Sequence, residues 1–582
     1  MALVDRLLLK NRLLRSCLFS WFTIFGLMRA EAAETLADRT VEVSFPAAIH
    51  PQPVTGRLLL MFSQTNDPEV RFQVGWAISA PIFGMDVNQL RAGQQAVFDG
   101  SISGYPLNSL RDLPPGDYFV QALLNVYTDF HRADGHVIWA HMDQWEGQNF
   151  KLSPGNLFSS MQKVHLDAGG HEKVEIQLTQ VIPPIDVPAD TVWVKHIKIQ
   201  SALLTRFWGR PMYLGAVVLL PRDYDSHPEM HYPVIYQQGH FSHDAPFEFR
   251  TTPAPPEKEE ERQLRESRGL ETGYEFYRSW SSDEFPRAIA VTFLHPTPYY
   301  DDSYAVDSAN NGPYGTAIMT ELIPYLEKQF RIISKPYARI LVGGSTGGWE
   351  AMALQLFHPN FFGGAWVLYP DPLDFRRYQL IDIYKDRNSF FLTPDDPVAS
   401  SLEAWVPVER SYYRTPDGQS LASVRQISRV ESVLGSHDRS GGQIAIWDAT
   451  YGPVGDDGYP KPLWDKKTGV IDRSVALYMR DHGYDLRYYA ESNWPQIGQQ
   501  LAGKLSLYCG DMDNYYLNLG VYLFAQFMQG EKIDASPDSL EYGRPLKGHG
   551  WQPMTNAALI KVMMDRVVHN APNGASVAWV RH

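Results

Sequence analysis

A serine among glycines, an acidic cluster and a glycine-flanked histidine occur in that order along the C-terminal part of this chain. The run Ile340-Leu-Val-Gly-Gly-Ser-Thr-Gly-Gly-Trp349 sets Ser345 in a Gly343-x-Ser345-x-Gly347 pattern. An apolar run precedes it, and Ala351, Met352, Leu354 and Leu356 follow at helical spacing. A strand that turns sharply into a helix at a serine strains that residue's backbone, and its neighbours two positions away must lack side chains where strand and helix converge. The helix start then aims the N–H of Thr346, with the helix dipole behind it, at an oxyanion formed over Ser345. A serine hydroxyl is a weak nucleophile at neutral pH, so this chemistry also needs a histidine base and a carboxylate to fix its tautomer. Leu505 to Cys509 reads as a core strand that opens onto Gly510-Asp-Met-Asp-Asn514, which offers Asp511 or Asp513 at the carboxyl end of a strand. His549, in Gly548-His-Gly-Trp551 beyond that strand, is the candidate base. A second oxyanion donor belongs after an early strand, where Tyr236-Gln-Gln-Gly-His240 supplies the N–H of His240 or Gln238. Trp349, Trp551 and Tyr299 are the candidate substrate contacts.

Short continuous apolar runs carry these residues: Tyr213 to Leu220, Val234 to Tyr236, Ala288 to Phe293, Ile340 to Val342, Trp366 to Leu368 and Leu505 to Cys509. Strands buried on both faces have this pattern. Ile318, Met319, Leu322, Ile323, Leu326 and Phe330 repeat at helical spacing, with Pro324 as an expected kink. Alternation of strand and helix predicts an α/β fold from about residue 196 to 582. From about Thr40 to Pro184 the pattern is instead apolar–polar alternation, as in Val41 to Phe45, Val70 to Val74 and Val174 to Leu178, which predicts an all-β, sandwich-like domain. The proline-rich stretch Val181 to Pro188 separates the two, with a linker expected over 185–195. The charge run Glu257 to Glu271 reads as a solvated helix or loop.

Several segments together resemble the esterase D family: Val218-Leu-Leu-Pro221 before Tyr232-Pro-Val-Ile-Tyr236, Gly312-Pro-Tyr-Gly315, Glu321-Leu-Ile-Pro324, Gly343 to Gly348, Phe361-Phe-Gly-Gly364 and Asp513-Asn-Tyr-Tyr-Leu517. The resemblance covers about residues 210 to 375 and 500 to 570. It implies an α/β-hydrolase fold, ester hydrolysis without metal or other cofactor, and a Ser-Asp-His triad on Ser345, Asp513 and His549, so that Asp513 is preferred to Asp511. The chain departs from the family in its Gln237-Gln-Gly-His240 loop, where many esterases have a glycine-rich oxyanion loop, and in size. The surplus is a cap-like insertion at about 378–499, rich in aromatic residues such as Trp405, Trp447, Trp464, Trp494, Tyr412, Tyr413 and Tyr451. Lying over the catalytic end of the sheet, it either lines a cleft for a sugar, aryl or acyl group or forms its own small core. Asp301 and Asp302 have no spacing that demands a cation.

Composition sets the outer limits. The 582 residues are 44% hydrophobic and 20% charged, which excludes a largely disordered chain, and two cysteines exclude a disulfide scaffold or a thiolate metal array. A formal net charge of -14 with no segregated basic patch argues against nucleic acid as a partner. Residues 1–32 combine Arg6, Lys10, Arg12 and Arg15 with an apolar run from Ser16 to Met28 and the small-residue stretch around Ala32, a secretory signal peptide pattern. That run is shorter than the roughly 20 residues that span a bilayer, so no stable membrane span is expected after cleavage. The protein is therefore expected to be an exported, periplasmic or extracellular, serine esterase acting on a small-molecule or carbohydrate-linked ester. The alternatives are an acyltransferase on the same fold and a non-catalytic binding protein.

Overall fold

The computed structural model describes residues 39–392, 407–531 and 539–580; residues 1–32, expected to be a signal peptide, and Trp405 lie outside them. Eight strands form the central sheet: β1 (Val194–Ser201), β2 (Met212–Leu219), β3 (Val234–Gln238), β4 (Ile289–Leu294), β5 (Arg339–Gly344), β6 (Gly364–Leu368), β7 (Leu505–Gly510) and β8 (Leu540–Gly543). Their order across the sheet is β1-β2-β4-β3-β5-β6-β7-β8. β2 runs antiparallel to both its neighbours and the others are parallel. This is an α/β-hydrolase-like sheet. Strands β3 to β7 are almost wholly buried, which is why each appears in the sequence as an unbroken apolar run.

β1 and β8 are absent from the apolar-run pattern because they are the edges. β1 (VKHIKIQS) is half-buried along most of its length and alternates lysine with isoleucine. It begins at Val194, inside the segment expected to be linker, and pairs there with Leu219. The expected helix before β5 forms as Tyr314–Ala317, a wide turn at Ile318–Leu322 and Ile323–Gln329, with Pro324 in the first turn of the last piece, where its missing N–H is tolerated. The charge run contains the helix Glu259–Ser267, none of whose residues is buried.

Among the described residues before β1, the regular elements are strands and single 3-10 turns. One sheet contains Val54–Ser63, Ile82–Leu90, Gly104–Tyr105, Gly116–Val126, Leu157–Phe158, Gln162–Leu166 and Gln180–Val181; a second contains Thr40–Ser44, Ala96–Phe98 and Lys173–Gln177. Val70 to Val74, expected as a strand, is instead the 3-10 turn Val70–Gln73, with Val70 and Val74 buried and Phe72 exposed. Such an arrangement mimics strand alternation over five residues, so periodicity alone misassigns it.

The strand Val54–Ser63 joins this region to the rest. Leu58, Leu60 and Phe62 face the core shared by the two N-terminal sheets, whereas Leu59 and Met61 face Val430 and Val433 on the insertion helix Val424–Leu434. Both faces are dry, so Leu58-Leu-Leu-Met-Phe62 carries no polar alternate positions. At the same junction Arg57 donates to the carbonyl of Val433 at 2.8 Å and of Ser432 at 3.0 Å, and to Asp86 at 3.1 Å. Arg57→Met leaves the buried Val433 carbonyl and the half-buried Ser432 carbonyl without this donor. It is expected to lower the unfolding free energy by about 2 kcal/mol, read as a lower urea midpoint.

Candidate active site

β5 ends at Gly344 and the helix Thr346–Phe357 begins at once, leaving Ser345 alone to make the turn. Its backbone is at φ 58° and ψ -123°, a conformation costing a non-glycine residue on the order of 1–3 kcal/mol. The surroundings impose it. Ser345 donates its N–H to Leu368 O at 3.1 Å, and its carbonyl accepts from the N–H groups of Gly348, Trp349 and Asp371. A Cβ at Gly343 would overlap the carbonyl of Gly347, and one at Gly347 would overlap that of Gln238. The two glycines are therefore demanded by close approach of three backbone segments.

Ser345 Oγ lies 3.0 Å from His549 Nε2, and His549 Nδ1 lies 2.8 Å from Asp513 Oδ2. Because a carboxylate only accepts, Nδ1 carries the proton and Nε2 is left to accept from the serine hydroxyl. Asp513 is fully buried; its other oxygen, Oδ1, accepts from the N–H groups of Tyr515 at 2.9 Å and Leu517 at 3.2 Å. The His549 backbone N–H donates to Asn514 Oδ1 at 2.7 Å, and the edges of Tyr369 and Tyr515 hold the ring at centroid distances of 4.9 and 5.0 Å. Asp511, the other acidic candidate, accepts from Lys547 N at 3.0 Å and so anchors the histidine loop without touching the ring.

Thr346 opens its helix, where the first N–H groups have no intrahelical acceptor. Its hydroxyl donates to Asp371 Oδ2 at 3.2 Å, and the same oxygen accepts from Tyr304 Oη at 2.5 Å. Trp447 Nε1, from the insertion helix Gln443–Tyr451, donates to Tyr304 Oη at 2.7 Å, which ties the insertion to the serine turn. Burial raises the Asp371 carboxyl above its ordinary range, against the lowering effect of the Tyr304 bond and the two histidines His549 and His240. Asp371 and Tyr304 escape sequence reading; the available signal was an acid between two prolines, Pro370-Asp-Pro372, at the end of β6.

His240 follows β3, as expected, and lines the same cavity as Ser345 and His549. Its Nδ1 lies 3.1 Å from Asp301 Oδ1 and 3.2 Å from Asp302 Oδ2. Burial works against protonation, but Asp301 and Asp302 outweigh it and raise the imidazole pKa well above its usual value. The ligand-capable atoms of these three residues lie within 4.8 Å of one another, and an imidazolium shared by two carboxylates accounts for them.

The cavity over Ser345 has a volume of about 830 Å³. Loops and turns beyond the ends of the central-sheet strands contribute His240, Tyr300, Ser345, Tyr369, Asp371, Tyr515 and His549, and the insertion contributes Tyr412, Val430, Glu431, Gln443 and Trp447. Segments 74–76 and 146–151 of the N-terminal region complete it. Of the insertion's aromatics, Tyr412 and Trp447 face the cavity, whereas Trp464 and Tyr451 are buried among Tyr378 and Phe375. The insertion is both a lining and a core.

The three expected substrate contacts lie elsewhere. Trp349 is fully buried against Tyr304 and Tyr451, Tyr299 is fully buried near Trp208, and Trp551 is 8% exposed and packed over Gly543. For Trp349, sequence adjacency misled: Ser345 precedes the helix with a non-helical backbone (φ 58°, ψ -123°), so the helical i, i+4 rule that would set the two side chains on one face does not apply, and Trp349 packs into the core.

Residues 212–372 match the family described as "Esterase: Putative esterase". No curated protein sequence matches the chain. Among solved structures it is similar to a ferulic acid esterase at 18% identity, over 65% of this chain and 99% of that one, with a TM-score of 0.32. A fluorophosphonate-binding serine hydrolase of Staphylococcus aureus is 13% identical over 64% of this chain and 98% of its own, with a TM-score of 0.29. An S-formylglutathione hydrolase from Agrobacterium tumefaciens is 14% identical over 65% and 95%, with a TM-score of 0.30.

Gly347→Ala tests the turn. The added methyl forces β3 and the serine helix apart, so loss of at least 2 kcal/mol of stability, or insoluble expression, is expected. Gly93→Ala, where a Cβ has open space but φ is 76°, should cost about 1 kcal/mol, measured by thermal unfolding.

Proposed function

We propose, from the match of residues 212–372 to the esterase family, that this chain is an exported serine carboxylic ester hydrolase acting through Ser345, His549 and Asp513. The reading is carried by one observation, the hydrogen-bonded line from Ser345 Oγ through His549 to the buried Asp513. Ser345 attacks the ester carbonyl while His549 Nε2 takes the hydroxyl proton. The imidazolium that forms is held by Asp513 Oδ2, whose position is set by two backbone N–H groups on the other oxygen. The N–H of Thr346, with that of His240 opposite, receives the developing oxyanion. His549 then gives the proton to the leaving alcohol, and a water activated by the same nitrogen hydrolyses the acyl-enzyme.

The turn at Ser345 contributes directly to this sequence. A strained backbone held on both sides presents Oγ to the cavity without the conformational search that a flexible serine would undergo. Export rests on the leader pattern of residues 1–32; N-terminal sequencing of protein recovered from outside the cytoplasm should begin after Ala32, and recovery of an intact Met1 there would exclude cleavage.

Ser345→Ala is expected to abolish labelling by a fluorophosphonate probe and to lower kcat on an acetyl ester by at least about 10⁴-fold. Labelling that persists in this variant would refute the nucleophile assignment. Asp513→Asn leaves the wrong imidazole tautomer facing the serine and should lower kcat by about 10⁴. Asp511→Asn, which weakens only a loop anchor, should cost far less in the same assay.

A further inference from the structure

The N-terminal region brings two large aromatic residues, Trp76 and Phe150, to the cavity, and Trp76 is the one beside the tyrosines that flank His549. Trp76 lines it together with Tyr412, Tyr515 and His549, and is 38% exposed, whereas Tyr412 and Trp447 are nearly buried. Its ring meets Tyr413 at 5.1 Å and Tyr412 at 6.3 Å, edge to face, and reaches Tyr515 at 6.5 Å. Tyr515 in turn abuts His549. A continuous aromatic wall therefore runs from the N-terminal region to the imidazole beside Ser345.

The loop that carries Trp76 is fixed. It closes on itself through Ala80 N to Gln73 O at 3.0 Å and Gly75 N to Ser79 Oγ at 3.3 Å. From outside, Tyr105 Oη donates to the Trp76 carbonyl at 2.8 Å, and Lys151 Nζ donates to the Val74 carbonyl at 2.7 Å. A Cβ at Gly75 would crowd the Ile78 carbonyl, so the turn is drawn tight. The tyrosine contacts cover only part of the indole; 38% of Trp76 stays open to water, apolar surface whose burial against a ligand would be favourable. A rigid indole face with its body open to a cavity suits a ligand ring that offers a flat apolar face.

We propose that Trp76 is a specificity-determining contact, by which the N-terminal region selects esters that carry a flat-faced ring. This rests on the esterase reading above. The ring belongs either to the acyl group, as in a benzoate, or to the alcohol, as in an acetylated sugar, and the test separates the two.

Trp76→Ala and Trp76→Phe are compared with the parent protein on vinyl benzoate, methyl 2-O-acetyl-β-xyloside and the ringless vinyl acetate. For the preferred ring-bearing ester, Trp76→Ala should lower the kcat/KM ratio to vinyl acetate by about tenfold, chiefly through KM, and Trp76→Phe should recover most of it. The ester whose ratio falls identifies the side on which the ring sits. Ratios that stay constant for both ring esters, including a proportional loss on all three substrates from a merely structural effect, overturn the proposal. Should the parent turn over no ester and Ser345 resist fluorophosphonate, the esterase reading itself fails. Trp76 is then judged by calorimetric titration of the same ring compounds into Ser345→Ala protein: a tenfold weaker Kd with Trp76→Ala upholds the contact, and equal affinity refutes it.

Discussion

At Ser345 the chain leaves a buried strand and enters a buried helix within one residue, at a positive φ that a side chain normally avoids. Everything around the site follows from making that turn tolerable. Three backbones converge there, from the strand end, the helix start and the end of β3, and the contacts at Gly343 and Gly347 leave no volume for a methyl. Leu368 and Asp371 at the end of β6 then hold the turn from the other side by hydrogen bonds to the serine N–H and carbonyl. Strain of this kind persists only where the surroundings over-determine it, and here a helix buried from Thr346 to Leu356 and five almost wholly buried strands do so.

The histidine depends on that frame at one remove. His549 sits on a loop with glycines on both sides and would be mobile alone, but its position is fixed by Asp513, by Asn514 on its N–H and by two tyrosine edges. Asp511 and Asp513 divide the work: one carboxylate holds the loop backbone and the other holds the ring. Cys509, two residues before, is buried and its thiol pKa is pushed up by that burial, consistent with a packing role.

Two further parts of the chain enclose the site. The insertion reaches Thr346 through Trp447, Tyr304 and Asp371, and the N-terminal region meets the insertion across Leu59, Met61 and Arg57. The wall of the cavity over Ser345 is therefore divided among three stretches of sequence that are far apart in the chain.

The serine, the acid and the histidine, their order and the strands that carry them could be read from the sequence, because each is local: a buried strand is an apolar run, and a sharp turn is a pair of glycines. The edge strands β1 and β8 could not, since half-buried edges lose the continuous apolar signature. The choice between Asp511 and Asp513 was open to spacing and followed from the family resemblance; in the fold it is a matter of which carboxylate points toward the ring. The substrate contacts expected at Trp349, Tyr299 and Trp551 lie in the core; Tyr412, one of the insertion aromatics read as a possible cleft lining, does line the cavity, and Trp76 and Asp371 reach it from positions with no such signal. The sequence alone determined the candidate serine, acid and histidine and the elements that bear them. Only the tertiary structure decided what surrounds them, because a cavity wall is made by side chains that converge in space and leave no periodic trace along the chain.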